Sequence, residues 1–477
     1  MSLQNNPFAT VPDHMTITEE AAAFIENVTF AAMPEEVLRI GTRCLLDGLG
    51  LFVAGSEQES VKILAKLAKE TGGKEEALLL GHPDTRVPAP VAARIIGTAG
   101  HADDWDDSQV SLDPEHIYGL LMHPTIPALA ATLVAAQLAG GASGKDFMLA
   151  FMTGFEVSCK LSEWMLPQIY KRGFQSSSTV GTLGAYVCAA KLLGLQGAAL
   201  RCGLGVASSM ASAGIRVNFG TMTKPLQVGR AAENGVLAAL LAKAGFTGDQ
   251  AALDGMWGFC AVFSGGVTAG KLRQGFGKTW TIVHPGVSIK PYPCGVLIHP
   301  SADLMASLVK KNNIHSDDIE HVELTAGSNI LNPIRFPIAK DHLQAKFSLP
   351  AVLAMIALNG KAGKVEFTDA FVGSDAMQNM QQRVTCRFDP EIEAMGFDKM
   401  RSRIKIILKD GKIFEGNADE RYRGGPDNPL RDEELEGKVY SCAEGVLSKD
   451  ATRLLIEKAW NVLDLPDASI FARLLHA

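Results

Sequence analysis

The spacing of apolar residues changes near residue 280, and this change restricts the fold more than any other feature of the sequence. Before it, apolar residues recur at helical intervals, for example over 34–56, 144–165 and 178–194. Several of these stretches, such as "RCGLGVASSMASAG", are rich in Ala, Gly and Ser, and small residues let helix axes approach closely. The chain up to residue 280 is therefore predicted to form a tightly packed helical unit.

Two-residue alternation, which is typical of strands, replaces the helical spacing after that point. It is visible in "TIVHPGVSIKPYP", "HVELTAG", "QRVTCRF" and "SRIKIILKDGKIFEG". In the last of these, Asp410 and Gly411 stand between two alternating runs and predict a hairpin with a type I′ turn. From residue 432 the helical spacing returns. The sequence therefore predicts an α+β unit between two helical segments, and such a unit can serve as a lid over a site at the junction.

Composition excludes several classes of protein. Lys and Arg total 45 against 52 Asp and Glu, which gives a net charge of -7, and no basic block appears, so nucleic acid is not an expected partner. The opening "MSLQNNPFATVPDHM" lacks the pattern of a secretory signal, and no apolar run reaches the length of a membrane span. The eight cysteines are scattered without a CxxC pair, which favours buried thiols over a zinc site or disulfides. We therefore expect a cytoplasmic protein that contacts neither a membrane nor nucleic acid.

Four carboxylates crowd into seven residues in "HADDWDD", 101–107, which Ser108 follows. Like charges held close raise the pKa of at least one group, and this can create a proton acceptor or donor. The plain alternative is a solvated loop that caps a helix. A magnesium site is a third alternative, because some helical terpene synthases use the same Asp-x-x-Asp pattern. We do not find the second ligand motif that those enzymes need, so we predict no metal ligands.

Two cationic stretches are suited to meeting an anion. In "TKPLQVGR", Pro225 is expected to break a helix beside Lys224, so that a new helix begins at Gly229. In "YKRGFQSSSTVG", Arg172 leads into a helix start that is rich in hydroxyl groups, and a helix N-terminus attracts carboxylates. A surface lysine and ordinary capping by serine are the plain alternatives.

Two further stretches place histidines at expected helix starts. "IKPYPCGVLIHP" contains Lys290, Tyr292 and His299, and "MHPTIPA" contains His123. Histidine is the side chain whose ordinary pKa lies nearest to neutral pH, so each is a candidate for proton transfer. The alternative is a neutral histidine that only caps its helix.

Together, these stretches resemble the MmgE/PrpD family, and the resemblance extends over nearly the whole chain. "EEVLRIGTRCLLDGLGLFVAG" is similar to an early helix of the family, "GHADDWDDS" to its acidic segment, and "RYRGGPDNPL" to its closing turn. "TKPLQVGRAAENG" and "IKPYPCGVLIHP" follow in the family's order. The family includes 2-methylcitrate dehydratases, cis-aconitate decarboxylases and iminodisuccinate epimerases.

The resemblance implies a mainly α fold. It consists of a large all-helical domain built from both chain ends, 1–283 and 432–477, and a smaller α+β lid domain, 284–431. It also implies a homodimer, and a site that acts on small polycarboxylates without a cofactor or metal. The change in periodicity near residue 280 agrees with this arrangement.

The patterns and the resemblance together identify the candidate site residues. The catalytic candidates are Asp104, His123, Lys224 and His299, and the substrate-binding candidates are Ser108, Arg172, Gln175, Gln227 and Tyr292. Gln175 and Gln227 depart from the family pattern, since the family commonly has histidines there, and a glutamine cannot exchange a proton near neutral pH. Ala351 stands where the family has a lid tyrosine.

The predicted function is a cofactor-independent lyase, either a dehydratase or a decarboxylase, which removes a proton next to a carboxylate of a small polycarboxylate. In this hypothesis cations and shared protons compensate the acidic segment, and its outer members, Asp103 and Asp106, cap the helix or contact water. An isomerase or epimerase is the alternative on the same scaffold, and it tolerates the missing histidines better. A metal-dependent helical prenyl-transforming enzyme and a catalytically inactive carboxylate-binding protein are alternatives from other classes.

Overall fold

The computed structural model describes residues 17–476 except 112, 114, 115, 117, 120, 166, 167 and 268–274. The opening stretch that was considered for a secretory signal, residues 1–15, therefore lies outside the described residues. Helices dominate the described chain. Before residue 280 they are α1 (Ile17–Asn27), α2 (Glu35–Ser56), α3 (Glu59–Thr71), α4 (Ala89–Ala102), α5 (Thr125–Leu138), α6 (Gly144–Met165), α7 (Gln168–Lys171), α8 (Ser176–Leu192), α9 (Gly197–Met210), α10 (Thr223–Lys243) and α11 (Phe259–Ser264).

The remaining helices divide between the strand-containing part and the C-terminal end. The first group is α12 (His299–Lys311), α13 (Ser328–Leu331), α14 (His342–Ala345), α15 (Leu349–Asn359), α16 (Asp369–Val372), α17 (Asp375–Gln382) and α18 (Pro390–Ala394). The second group is α19 (Asp432–Ala443), α20 (Lys449–Trp460) and α21 (Phe471–Leu474).

The main sheet has four strands and lies between residues 319 and 417. Its members are β5 (Ile319–Ala326), β6 (Val384–Phe388), β7 (Ser402–Leu408) and β8 (Ile413–Asn417), in the order β6-β5-β7-β8. β5 pairs with β6 in parallel, and the other pairs are antiparallel. Helices α12 and α15 pack on this sheet and on each other. The predicted fold class, mainly helical with a smaller α+β part, is confirmed.

Two short sheets lie outside this unit, so the part expected to be all-helical also contains strands. β1 (Ala77–Leu79) and β2 (His82–Val87) form an antiparallel hairpin, and β3 (Ser108–Gln109) pairs with β4 (Val287–Ser288). The β3–β4 pair joins the residue after the acidic segment to the chain that enters the α+β unit.

Buried apolar residues form two separate clusters. The larger extends from Ile17 to Ile289 and resumes from Leu430 to Leu475, so both chain ends share one core. The smaller cluster extends from Tyr292 to Tyr422 and also contains Val110 and Tyr118. We call residues 17–289 with 430–476 the body, and residues 292–422 the lid. The exact domain boundaries given by the resemblance stay predictions.

Small residues bring α4 and α10 together, as the Ala, Gly and Ser content predicted. A Cβ atom on Gly229 of α10 would lie 2.2 Å from Thr98 Oγ1 and 2.3 Å from the carbonyl oxygen of Arg94, both on α4. Any larger residue would therefore push the two helices apart. This close contact fixes the end of α4 relative to the start of α10, and these are the two places from which the main site residues come.

Two local predictions were wrong. α10 is continuous from Thr223, and Pro225 lies in its first turn, where a missing N–H costs no hydrogen bond. The expected break before Gly229 is therefore absent. The hairpin of β7 and β8 is present, but only Gly411 has a positive φ, of 85°, whereas a type I′ turn needs positive φ at both central residues.

No described helix is both long enough and apolar enough to cross a membrane. All eight cysteines lie among the described residues and are free thiols. Six are buried, as predicted, whereas Cys202 and Cys386 are half-buried. The homodimer and the cytoplasmic location stay predictions.

Candidate active site

The acidic segment directly follows α4, and all four of its carboxylates are buried. The helix ends at Ala102, so the carboxylates do not share a helix face. Asp104 has a φ of 52°, in the left-handed region that residues other than glycine rarely adopt. Such a conformation persists where the surroundings fix it, and it is common at functional sites. Asp103 is the C-terminal cap residue of α4, as one of the two expected roles required, but neither Asp103 nor Asp106 is a solvated carboxylate.

Buried lysines from distant parts of the chain compensate the segment. Three of them donate to its backbone carbonyls: Lys346 Nζ to Ala102 O (2.8 Å), Lys290 Nζ to Asp104 O (2.7 Å) and Lys438 Nζ to Trp105 O (2.8 Å). All three also meet carboxylates. Lys346 Nζ lies 3.1 Å from Asp103 Oδ1, Lys438 Nζ lies 2.6 Å from Asp47 Oδ1, and Lys290 Nζ lies 3.4 Å from Asp104 Oδ2. Buried ammonium groups thus hold the segment in its unusual conformation.

Lys224, in the first turn of α10, makes the central contact of the site. Its Nζ lies 2.6 Å from Asp104 Oδ1 and 2.6 Å from His101 Nε2. Lys290 Nζ lies 3.4 Å from the other oxygen of Asp104. The Asp104 carboxylate therefore bridges the two buried ammonium groups of Lys224 and Lys290. His101 is the second acceptor of the Lys224 ammonium.

His101 is held as a neutral acceptor. Its Nδ1 lies 2.9 Å from both carboxylate oxygens of Asp106, so this nitrogen is assigned as the N–H donor. Its Nε2 then carries the lone pair and accepts from Lys224 Nζ and from Gln175 Nε2, which is 3.2 Å away. Burial lowers the pKa of His101, and this favours the neutral ring. Asp106, His101 and Lys224 thus form one hydrogen-bonded chain.

The charges at the centre favour an ion pair. Burial alone would raise the pKa of Asp104, but the charges of Lys224 and Lys290 outweigh it and hold that pKa well below its usual range. Burial lowers the pKa of Lys224, and the charge of Asp104 opposes this effect. Asp104 is thus suited to orienting Lys224, and poorly suited to accepting a proton itself.

Asp107 behaves in the opposite way. Burial, together with the charge of Asp106, raises its pKa to about 8. Its carboxyl group accepts from the Thr125 backbone N–H at 3.2 Å and from Thr125 Oγ1 at 2.8 Å. At neutral pH Asp107 therefore retains its proton, which reduces the negative charge of the segment.

A cavity lies between body and lid. The space free of protein atoms, including the open mouth of the cavity, is about 590 Å³. Among the described residues that line it, the charged ones are Asp104, Lys224 and Lys290. The rings of Phe219 from the body and Phe347 from the lid flank the Lys224 ammonium at 5.2 and 5.3 Å from their centroids. The site is therefore enclosed by both parts of the molecule, which is a common place for ligand binding.

His123 presents a free nitrogen to this cavity. Its Nδ1 lies 2.6 Å from the carbonyl oxygen of Asp107, so Nδ1–H donates there and the Nε2 lone pair remains. Its backbone N–H donates to Ser177 Oγ at 2.8 Å. The side chain is 19% exposed, and burial lowers its pKa to about 3, which keeps it neutral. The free nitrogen is placed to accept a proton, but the low pKa makes His123 a weak base.

The structure brings five of the nine sequence-predicted site residues to the cavity, namely Asp104, Ser108, His123, Gln175 and Lys224. Two of the other four lie within the lid. His299 is fully buried, with Nε2 3.2 Å from the Cys294 carbonyl oxygen, and its ring packs against Tyr292, whose hydroxyl donates to Asp303 at 2.7 Å. Neither lines the cavity, so direct contact with a substrate is not favoured for either residue.

The remaining two lie in the body away from the cavity lining. Arg172 is exposed and donates to the Val262 carbonyl oxygen at 2.9 Å. Gln227 donates to the Ile215 carbonyl oxygen at 3.1 Å. Both side chains hold neighbouring backbone in place, so the substrate-binding role predicted for them is not favoured by the geometry.

Sequence reasoning missed three residues that form the site. Lys290 and Lys346 were not chosen, and His101 was treated only as the start of the acidic segment. The available signal was a charged residue in an apolar run, as in "GVSIKPYPCGVLI", since a buried lysine requires a partner. That signal does not say which partner.

The side chains of His101, Asp104 and His123 lie close enough together to hold a metal ion. Lys224 Nζ already contacts two of them, at 2.6 Å each, and its ammonium group occupies the position between them. The charge that a metal would supply at this point comes from the lysine.

The chain is similar to known proteins over nearly its whole length. The family models of the MmgE/PrpD N-terminal and C-terminal domains match residues 19–271 and 292–462. The chain is 30% identical over 470 residues to a cis-aconitate decarboxylase of Homo sapiens, covering 96% of this chain and 94% of that one. It is 29% identical over 471 residues to the Mus musculus cis-aconitate decarboxylase, covering 96% and 93%. A cis-aconitate decarboxylase of Aspergillus terreus is 23% identical over 484 residues, covering 96% of each chain. The chain belongs to the MmgE/PrpD family.

Proposed function

We propose that this chain is a lyase that acts on a small carboxylic acid, with its own side chains controlling the charge and the proton next to the substrate carboxylate. Family membership and relatives named cis-aconitate decarboxylase support an enzyme of the lyase type, and set aside the helical prenyl-transforming alternative. The observation that carries the proposal is the Lys224 ammonium, which lies 2.6 Å from both Asp104 and His101 in a cavity between body and lid.

Lys224 is suited to binding the substrate carboxylate. An ammonium group has three N–H donors, and Asp104 and His101 accept from two of them. The third is available for a carboxylate oxygen in the cavity, and Lys290 adds a second positive charge nearby. Both dehydration and decarboxylation develop negative charge next to the remaining carboxylate, and fixed ammonium groups stabilise that charge strongly where water is excluded.

His123 is proposed as the proton acceptor. Its neutral ring lines the cavity, and its Nε2 lone pair is free because Nδ1–H donates to Asp107. In a dehydration the α C–H bond breaks, its proton passes to Nε2, the C=C bond forms, and the β-hydroxyl takes a proton from an ammonium group and leaves as water. In a decarboxylation the C–CO₂ bond breaks, CO₂ leaves, and the resulting carbanion takes a proton from an ammonium group. Asp104 orients Lys224 in both reactions.

An isomerase or epimerase is the second candidate. His123 is the one histidine among the described residues that line the cavity, and Gln175 beside it cannot exchange a proton near neutral pH. A single group that removes a proton and returns it is sufficient for isomerisation, whereas elimination of water also needs an acid for the leaving group.

Incubation with a panel of hydroxy, saturated and unsaturated carboxylic acids in deuterated water tests the proposal. We expect at least one acid to take up deuterium, with formation of water or CO₂ for a lyase and without it for an isomerase. Lys224→Met is expected to abolish uptake. Lys66→Met is the matched control, because Lys66 is 79% exposed and far along the chain from the site residues. Absence of both deuterium uptake and product formation with every acid, or activity that survives Lys224→Met, contradicts the proposal.

A further inference from the structure

The charged groups that line the cavity have a small net charge. Lys224 and Lys290 are the cations and Asp104 is the anion, and all three contact one another through Asp104. The described lining contains no arginine, and His123 is held neutral by its buried position and its contact with the Asp107 carbonyl. Among the residues that the structure describes, the lining therefore provides one uncompensated positive charge.

Nearby cations are engaged elsewhere. Arg216 packs its guanidinium 3.4 Å from the centroid of the Tyr170 ring and donates to the Tyr170 carbonyl oxygen at 3.2 Å. Arg335 donates to the carbonyl oxygen of Arg216 at 2.9 Å. Lys346 is fixed on Ala102 and Asp103. These side chains do not line the cavity, so they do not add to its positive charge at contact distance.

The start of α8 reinforces the same anion position. α8 begins at Ser176, directly after Gln175, and Gln175 Nε2 contacts the His101 nitrogen that Lys224 also contacts. The partial positive charge of this helix N-terminus therefore adds to the site at Lys224.

Most of the remaining lining is apolar. It consists of side chains from both parts of the molecule, and the largest are Leu121, Met122, Phe219, Leu297, Ile334 and Phe347. A second carboxylate in these surroundings would lose its hydration without gaining a cationic partner.

From this charge balance we propose that the substrate carries a single carboxylate, held at Lys224 and Lys290, and an uncharged and mainly apolar remainder. This inference rests on the proposed function, and it departs from the polycarboxylate expected from the family resemblance. With one carboxylate, elimination of water from a hydroxy acid is the compatible lyase reaction, because loss of CO₂ would remove the group that the lysines bind.

Calorimetric binding of two matched ligands to the full chain tests this proposal. The first is methylidenesuccinate, which has two carboxylates. The second is 4-methyl-2-methylidenepentanoate, in which an isopropyl group of similar size and shape replaces the distal carboxylate. We expect the monocarboxylate to bind at least about tenfold more tightly.

A variant with an added cation checks the cause of this preference. Ile334 lines the cavity and is half-buried. Ile334→Lys therefore places an ammonium group among the apolar side chains of the lining and removes no fully buried core side chain. It is expected to reduce the preference for the monocarboxylate at least about tenfold. Val365→Lys adds the same charge to the lid at a residue that is 62% exposed and outside the cavity lining, and it is expected to leave the preference unchanged.

Equal or tighter binding of methylidenesuccinate by the wild-type chain overturns the proposal, and so does failure of both ligands to bind at millimolar concentration. Binding is measured separately from deuterium uptake. A monocarboxylate that binds with the expected preference, while no acid takes up deuterium or is converted to a product, supports this inference and contradicts the proposed function.

Discussion

Lys346→Met is expected to open the junction between the lid and the acidic segment. The Lys346 side chain comes from the lid, is almost completely buried, and donates both to Ala102 O at 2.8 Å and to Asp103 Oδ1 at 3.1 Å. Methionine keeps most of the volume and removes the charge. After the change, the Gln58 side chain still donates to Asp103, since Gln58 Nε2 lies 2.8 Å from Asp103 Oδ1.

The size of the effect follows from the unpaired carboxylate. Removing one partner of a buried ion pair costs about 3–5 kcal/mol, because the other charge stays buried without compensation. A loss of 3 kcal/mol in the free energy of local opening corresponds to about a hundredfold faster amide exchange. Adding Asp103→Asn removes the unpaired charge, so the double variant is expected to recover a substantial part of the loss.

Hydrogen exchange of the peptide that covers the end of α4 and the acidic segment measures this effect directly. Lys66→Met again serves as the control, since an exposed lysine contributes about 0–1 kcal/mol. Exchange that changes less than about fivefold in Lys346→Met, or a double variant that is as unstable as the sum of the single variants, would refute the reasoning.

Three further predictions test other parts of the account. Asp107 has a pKa raised to about 8, above its ordinary value of 3.8, so the folded state holds a proton that the unfolded state loses. The contribution of Asp107 to the free energy of unfolding therefore falls by about 1.4 kcal/mol per pH unit between about pH 4 and 8. Asp107→Asn is expected to remove this slope in urea unfolding, and identical slopes in the wild-type chain and the variant would contradict the prediction. Gly229→Ala is expected to lower the free energy of unfolding by about 1–3 kcal/mol or more, because the added Cβ would collide with α4. Gly437→Ala, with open space around its position in α19, is expected to raise it by up to about 1 kcal/mol. Equal effects of the two changes in thermal unfolding would argue against the close packing of α4 and α10. His123→Gln is expected to slow deuterium uptake by about 10²–10⁴-fold with an unchanged circular dichroism spectrum, and retained uptake would remove His123 from the proposed proton role.

The fold was largely predictable because periodicity is a local property. The change near residue 280 and the return of helical spacing near 432 correspond to the two cores, and the Ala, Gly and Ser content predicted the close contact of α4 and α10. The errors concern positions where two local structures have similar energies. Pro225 is tolerated in a first helical turn, and Gly411 alone takes the left-handed conformation in its hairpin.

The site was only partly predictable, because it depends on contacts between distant parts of the chain. Asp104 and Lys224 were chosen as separate motifs, and nothing local shows that their side chains lie 2.6 Å apart. Lys290, Lys346 and Lys438 come from three different regions and meet on adjacent carbonyl groups.

His299 shows the converse case. Its position before a proline at a helix start was read correctly, since α12 begins there. The direction of its ring, towards Cys294 and Tyr292 and away from the cavity lining, is set by packing inside the lid.

The most direct test of the central claim is a crystal structure of the chain with a bound carboxylic acid that takes up deuterium in solution. The account predicts a carboxylate oxygen about 2.7–2.9 Å from Lys224 Nζ, with the contacts of that nitrogen to Asp104 and His101 retained. An acid bound with its carboxylate away from Lys224, or a Lys224 side chain turned out of the cavity, would contradict it.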